Sequence, residues 1–178
     1  ILHRAIKMLE ALNEPALLSI KDSDEVFFVG DIHGDFIVMQ SVVKRFLESS
    51  NSSIVFLGDL VDRAPHDCQF GSVHSMLLAL ILKLRFPDKA FILMGNHEGN
   101  HLIPCYPYEL HLETEARFGN PSAHESFVEV FKMLPLMAKT SNGIFCAHGG
   151  IPKMRDWTQR DKKDVDLAAY ITWGDPLG

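Results

Sequence analysis

Residues 26–34 read VFFVGDIHG, an apolar run that ends at a glycine and is followed at once by polar side chains. Four consecutive apolar residues bounded by turn-forming residues are typical of a short, fully buried β-strand. Asp31 and His33 therefore come at the point where the chain leaves a predicted sheet. The same arrangement recurs in three further stretches, residues 54–59, 91–97 and 144–148.

The segments between the first three apolar runs have the periodicity of helices. Residues 36–47 and 73–84 carry apolar side chains at every third or fourth position, which places them on one face of a helix. A strand, a helix and a strand of this length predict a parallel pair with a right-handed crossover. We therefore expect an α/β fold with the polar residues at the carboxyl edge of its sheet. Residues 17–20 are expected to form a short edge strand, and residues 100–139 to be mostly helical.

The composition limits the classes of function. With 178 residues, 47% of them hydrophobic, the chain can form one domain with a sizeable core. A net charge of −6 without a basic cluster argues against a nucleic-acid partner. No apolar run approaches the roughly 20 residues that cross a bilayer, so no membrane partner is expected. The three cysteines show no paired spacing, which favours reduced thiols and a cytoplasmic location.

The polar residues at the predicted strand ends have the chemistry of metal ligands. They offer carboxylate, amide and imidazole groups without a thiolate, and they are Asp31, His33, Asp59, Asn96 and His148. This donor set suits divalent manganese, iron or zinc. Asp59 follows the middle strand and is the candidate bridge between two ions. Two cations about 3.5–4 Å apart can deprotonate a water and hold the oxygens of an in-line phosphoryl displacement.

Three further residues beside these ligands could act on a phosphate ester. Arg63 offers a planar fork for phosphate oxygens, and His97 could protonate a leaving oxygen while Asp62 orients its ring. Taken singly, each of these groups has a plainer interpretation, as a turn residue, a loop cap or a surface ion pair. Their joint occurrence at successive strand ends favours a functional site, because open α/β sheets bind ligands there.

Five motifs in order resemble the signature of the phosphoprotein phosphatase family, the metal-dependent serine/threonine phosphatases among the metallophosphoesterases. They are GDIHG at 30–34, GDLVDR at 58–63, GNHE at 95–98, HGG at 148–150 and WGDP at 173–176. The resemblance extends from residue 26 to residue 176, nearly the whole chain.

The resemblance implies a centre of two divalent metal ions, with manganese favoured and iron or zinc as alternatives. Asp31 and His33 would bind the first ion, and Asp59 would bridge. Asn96 and His148 would bind the second ion.

The resemblance also implies the roles of the neighbouring residues. Arg63 and Asn96 would bind phosphate, and His97 with Asp62 would form the general acid. A hydroxide held by the two metals would attack the phosphate directly, without a phosphoenzyme.

The fold that the resemblance implies is a four-layer α/β/β/α metallophosphoesterase sandwich. In the family a further metal-binding histidine and a second phosphate-binding arginine follow the WGDP motif, and neither occurs in this chain. We therefore expect residues 1–178 to be a single calcineurin-like catalytic domain that lacks its C-terminal portion, with an incomplete second sheet. Ala64 stands where the family has glycine, and would cost about 1 kcal/mol if that position required a positive φ.

The predicted function is the hydrolysis of phosphoserine and phosphothreonine in proteins, with a phosphoprotein substrate and a regulatory subunit as the partners that the family admits. A dinucleoside polyphosphate hydrolase on the same scaffold is an alternative. A third is a metal-binding module without catalysis, since the sixth ligand is absent from this chain.

Overall fold

The computed structural model of the chain describes residues 1–21 and 23–174. Within these residues the elements, in chain order, are α1 (Leu2–Leu12), β1 (Leu17–Ile20), β2 (Glu25–Val29), α2 (Phe36–Glu48), β3 (Ser52–Phe56), α3 (Gly71–Arg85), β4 (Ala90–Ile92), α4 (Leu110–Phe118), α5 (Ser122–Phe131), β5 (Met137–Thr140), β6 (Phe145–Ala147) and α6 (Val165–Trp173). Two short 3-10 helices span Glu98–His101 and Trp157–Gln159. In this part of the chain no helix has the length and apolar character needed to cross a membrane.

The first sheet contains β2, β3 and β4, all parallel, with β3 in the middle. Helices α2 and α3 connect the three strands, so the predicted parallel sheet with helical crossovers is confirmed. Helix α2 begins where the Asp35 carboxylate accepts a hydrogen bond from the Val38 N–H, at 3.0 Å, which caps the helix directly after the first loop.

Two details of this sheet differ from the sequence prediction. Strand β2 is not fully buried: Phe28 is 40% exposed, because β2 pairs only with β3 among the residues that the structure describes and so lies at an edge. Strand β4 ends at Ile92 rather than at Met94. The Met94 N–H donates instead to the carbonyl of Pro135, at 2.9 Å, and thereby leaves the ladder of its own sheet.

The second sheet has the order β1–β5–β6, with β1 and β5 parallel and β5 and β6 antiparallel. The predicted edge strand at residues 17–20 is confirmed. The expected helical region from 100 to 139 is wrong over residues 137–139, which belong to β5. Pairing with β1 decides the conformation there, and it begins where the N–H groups of Leu136 and Met137 both donate to the Ala16 carbonyl.

The two sheets face one another across a small apolar layer. Val55 of β3 belongs to this layer together with residues of all three strands of the second sheet, namely Leu18, Ile20, Ala138 and Cys146. Its neighbours Ile54 and Phe56 point the other way, into the core beneath the helices, as alternation along a strand requires. The mixed α/β architecture with two sheets and flanking helices is therefore confirmed.

A buried ion pair fastens the turn after α1 to the first sheet. Lys83 of α3 is 1% exposed, and its Nζ lies 2.6 Å from Oε1 of Glu14. The same ammonium group donates to the Pro87 carbonyl and lies 4.9 Å from the centre of the Phe91 ring. These contacts satisfy a charge that would otherwise be costly to bury.

Candidate metal centre

The loops that follow β2 and β3 are held together by backbone hydrogen bonds beyond the ends of the strands. The N–H groups of Ile32 and His33 both donate to the Asp59 carbonyl, and the Gly34 N–H donates to Leu60, all at 2.9–3.0 Å. His33 and Asp59 have φ angles of 45° and 53°, in the left-handed region that residues with a side chain rarely adopt. The surrounding bonds therefore maintain a strained backbone at the predicted metal ligands.

His33 has one ring nitrogen engaged and the other turned toward carboxylates. Its Nδ1 lies 3.0 Å from the Val61 carbonyl and must donate, because a carbonyl can only accept. Nε2 therefore keeps its lone pair. It lies 3.8 Å from Oδ2 of Asp31 and 3.6 Å from Oδ2 of Asp59.

His148 reaches the same place from the other sheet. It follows β6, so the expectation that all four polar loops lie at the edge of one sheet is wrong for this residue. The sandwich brings the end of β6 to the end of β3, where Nδ1 of His148 donates to the Leu57 carbonyl at 3.2 Å. Its Nε2 lies 3.0 Å from Oδ1 of Asn96 and 3.6 Å from Oδ2 of Asp59.

Asp59 is the central group of this cluster and is only 2% exposed. Its Oδ1 accepts a hydrogen bond from the His97 N–H at 3.0 Å. Its Oδ2 is left between the two Nε2 atoms of His33 and His148, at 3.6 Å from each.

The donor set fits divalent cations. Carboxylate oxygens and imidazole nitrogens face one another, and Asp31, Asp59 and His148 place their ligand atoms within 4.8 Å of one another. Donors about 2.0–2.2 Å from a shared ion have separations comparable to these. Such a group of electron-pair donors, in which Asp59 is buried and Asp31 exposed, is stabilised by positive charge.

His97 and Asp62 form a second, fully buried pair beside these residues. Nδ1 of His97 lies 2.6 Å from Oδ2 of Asp62, while Oδ1 of Asp62 accepts the N–H groups of Glu109 and Leu110. Burial lowers the pKa of His97, but the hydrogen bond to Asp62 and the charges of Asp59 and Asp62 outweigh it, so the pKa is raised. Nε2 of His97 has no hydrogen-bond partner among the described residues.

Arg63 lies in the same loop as Asp62 and has an exposed side chain. Its Nη2 donates to the Tyr106 carbonyl at 3.4 Å, and its backbone N–H donates to Oε2 of Glu109 at 3.3 Å. The charge of Arg63 opposes the raised pKa of His97, which places the two groups within electrostatic reach.

The alanine that replaces the family glycine causes no left-handed strain. Positive φ angles occur at Asp62 and Arg63, at 63° and 53°, but not at Ala64. Ala64 instead packs against the first loop, since a Cβ added to Gly34 would lie 2.6 Å from the Cβ of Ala64.

Glu98 belongs to the centre but was assigned no role from the sequence. It is completely buried and accepts hydrogen bonds from the backbone N–H groups of Asp59, Leu60 and Gly95, at 2.8–3.0 Å. Burial, followed by the charge of Asp59, raises the pKa of Glu98 to about 7 against these three bonds. The only signal in the sequence was an acidic residue directly after the predicted ligand and acid, Asn96 and His97.

The fourth and fifth motifs are also in contact. The N–H groups of Gly149 and Gly150 lie within hydrogen-bonding distance of the Ile171 carbonyl near the end of α6. A Cβ on Gly150 would lie 2.6 Å from the Gly174 carbonyl oxygen, so the two segments touch through their backbones. Asp175 and Pro176, the last two residues of the fifth motif, lie outside the described residues.

Comparisons with known proteins agree with this arrangement. The calcineurin-like phosphoesterase family matches residues 25–177. The chain is 35% identical over 160 residues to a protein phosphatase 2A catalytic subunit of Dictyostelium discoideum, covering 85% of this chain and 49% of that protein.

A solved structure is similar as well. It is a serine/threonine phosphatase from Saccharomyces cerevisiae with similarity to human phosphatase PP5, with a TM-score of 0.71 and 25% identity. The match covers 87% of this chain and 49% of that one, so this chain spans about half the length of both relatives. The chain belongs to the calcineurin-like phosphoesterase family.

Proposed function

We propose that this chain carries the metal centre of a serine/threonine protein phosphatase, which hydrolyses phosphomonoesters of proteins. The observation that supports this most is the position of Asp59 Oδ2, at 3.6 Å from Nε2 of both His33 and His148. A carboxylate oxygen placed between two imidazole nitrogens would suit a ligand shared by two cations. The names of the two relatives support a protein substrate.

In this proposal Asp31, His33 and Asp59 hold one divalent ion, and Asp59, Asn96 and His148 hold the other. The bound ions supply Lewis acidity for a water nucleophile and for the phosphate oxygens. Manganese is the proposed metal, with iron or zinc as alternatives, because the ligand atoms are oxygen and imidazole nitrogen without sulfur.

Arg63 and Asn96 would bind the phosphate group of the substrate. The guanidinium group of Arg63 is accessible from solvent, and its planar fork matches two phosphate oxygens. The amide group of Asn96 lies beside the second predicted metal position, where its N–H₂ can donate to a phosphate oxygen.

His97 would donate a proton from Nε2 to the serine or threonine oxygen that leaves. Asp62 holds Nδ1 and stabilises the protonated ring, which agrees with the raised pKa of His97. Nε2 of His97 is buried and has no hydrogen-bond partner among the described residues, so it is the ring nitrogen left to hold the transferable proton.

A phosphoprotein is the proposed substrate, and a regulatory subunit is a proposed partner. The cytoplasmic location stays a prediction from the cysteine pattern.

Phosphate release from a phosphoserine or phosphothreonine peptide in the presence of Mn²⁺ tests the proposal. The Asp59→Asn variant should no longer release phosphate, while its circular dichroism spectrum should match that of the unaltered chain. Asp88→Asn is the matched control, since Asp88 is exposed. Hydrolysis of diadenosine tetraphosphate but not of the peptide would favour the dinucleoside polyphosphate hydrolase instead. Equal release by Asp59→Asn and the unaltered chain would reject the assigned site.

A further inference from the structure

Glu98 connects the two loops that provide the central residues of the metal centre. Its Oε2 accepts the N–H groups of Asp59 and Gly95, at 2.8 and 3.0 Å, and its Oε1 accepts the N–H of Leu60 at 2.9 Å. One carboxylate thus bonds the loop after β3 at two successive residues and the loop after β4 at one.

These hydrogen bonds lie where the loop backbone is strained and the two loops approach each other closely. Asp59 has a φ of 53°, a left-handed backbone conformation that is strained for a residue with a side chain. A Cβ on Gly95 would lie 2.2 Å from Oδ1 of Asp59, so the two loops are as close as a glycine allows. Glu98 offsets the strain and fixes this close approach.

The surroundings of Glu98 give it no counter-charge. No basic side chain in residues 1–21 and 23–174 forms an ion pair with it. Burial of such a carboxylate is unfavourable unless its oxygens are hydrogen-bonded. Its three N–H donors would in turn be destabilised if they were left buried without an acceptor.

As a consequence, the two carboxylate oxygens of Asp59 have different and fixed partners. With its backbone held by Glu98, Oδ1 receives the His97 N–H and Oδ2 is presented to the imidazoles of His33 and His148. We propose that Glu98 is the positioning residue of the metal centre: it orients Asp59 for metal binding without touching metal or substrate. This inference rests on the metal centre of the proposed function.

Mn²⁺ binding to the whole chain, measured by isothermal titration calorimetry without substrate, tests this role. Glu98→Gln keeps the shape of the side chain but turns an amide N–H₂ toward a backbone N–H. We expect the affinity for Mn²⁺ to fall about 10- to 100-fold, as for other residues that orient metal ligands. Glu14→Gln is the control, because it alters another hydrogen-bonded carboxylate, partly buried, that contacts Lys83 rather than the centre, and should leave Mn²⁺ affinity unchanged.

Glu98→Asp provides a second arm, because it keeps the charge but is one methylene too short to reach both loops. Reduced Mn²⁺ affinity in both Glu98 variants, with the circular dichroism spectrum of the unaltered chain, supports the inference. Unaltered affinity in both, equal loss in Glu14→Gln, or failure of both Glu98 variants to fold overturns a positioning role. Absence of Mn²⁺ binding to the unaltered chain contradicts the proposed metal centre itself.

Discussion

His97 and Asp62 share a hydrogen bond of 2.6 Å, and both side chains are withdrawn from solvent. The Asp62 carboxylate also receives two backbone N–H groups, so it is held in place by three donors. The hydrogen bond to Asp62 and the nearby carboxylate charges favour the protonated imidazole and, against the effect of burial, raise the pKa of His97. This pair is therefore arranged to hold a proton at Nε2 of His97.

Replacement of Asp62 by asparagine should reduce kcat by an amount that depends on the leaving group of the substrate. Without the negative charge, protonated His97 loses its stabilisation, and kcat on a phosphoserine peptide should fall about 10²- to 10⁴-fold. The kcat for p-nitrophenyl phosphate should fall much less, because nitrophenolate leaves without being protonated. Steady-state kinetics on both substrates measures the difference, and equal losses would contradict the acid role.

Replacement of Arg63 by lysine should mainly affect substrate binding. Lysine keeps the positive charge but loses the planar fork that matches two phosphate oxygens. We expect KM for a phosphopeptide to rise about tenfold, and more with Arg63→Ala, in line with the strength of bidentate pairs. Arg155→Lys is a control at another exposed arginine. An unchanged KM in Arg63→Ala would show that this side chain does not bind phosphate.

Mn²⁺ should raise the thermal unfolding midpoint of the chain. A ligand that binds only the folded state stabilises it by about 2.7 kcal/mol at a concentration of 100 Kd. The increase should become smaller in His148→Ala, which removes a ligand of the second ion only, and persist in full in His3→Ala, at an exposed position on α1. Differential scanning calorimetry measures the shift. An equal shift in both variants would place the bound ion elsewhere.

Loss of Lys83 should destabilise the fold without affecting metal binding. Lys83→Ala leaves the Glu14 carboxylate, which is 14% exposed, without its counter-charge. Breaking a buried pair in this way costs about 3–5 kcal/mol. Lys44→Ala breaks an exposed pair with Glu48 and should cost at most about 1 kcal/mol. Urea unfolding compares the two, and similar losses would show that burial of the Lys83 pair has no consequence.

The first sheet could be predicted from the sequence because the patterns that specify it lie in residues close together along the chain. Each apolar run is bounded by glycine or other turn-forming residues, and the first two are followed by amphipathic helices, so strand, crossover and loop positions follow from periodicity. The polar residues after β2, β3 and β4 were placed at one edge for the same reason. The motif resemblance added the roles of residues such as Asn96 and Arg63, which spacing alone left open.

The second sheet depends on pairing between residues distant in the sequence, and it was predicted less well. Residues 137–140 are a short run that periodicity cannot assign to helix or strand, and pairing with β1 decides it. For the same reason the sequence put His148 at the edge of the first sheet. The role of Glu98 was missed because its partners are backbone N–H groups, which carry no sequence pattern.

The most direct test of the proposed two-metal centre is to measure the number of bound Mn²⁺ ions and their magnetic coupling. We expect two Mn²⁺ per chain, with an electron paramagnetic resonance spectrum of two ions that share a bridging ligand. Asp59→Asn should lose that coupled spectrum, because Oδ2 of Asp59 lies between the two histidine nitrogens. A single uncoupled ion in the unaltered chain, or a coupled pair that survives Asp59→Asn, would contradict the account.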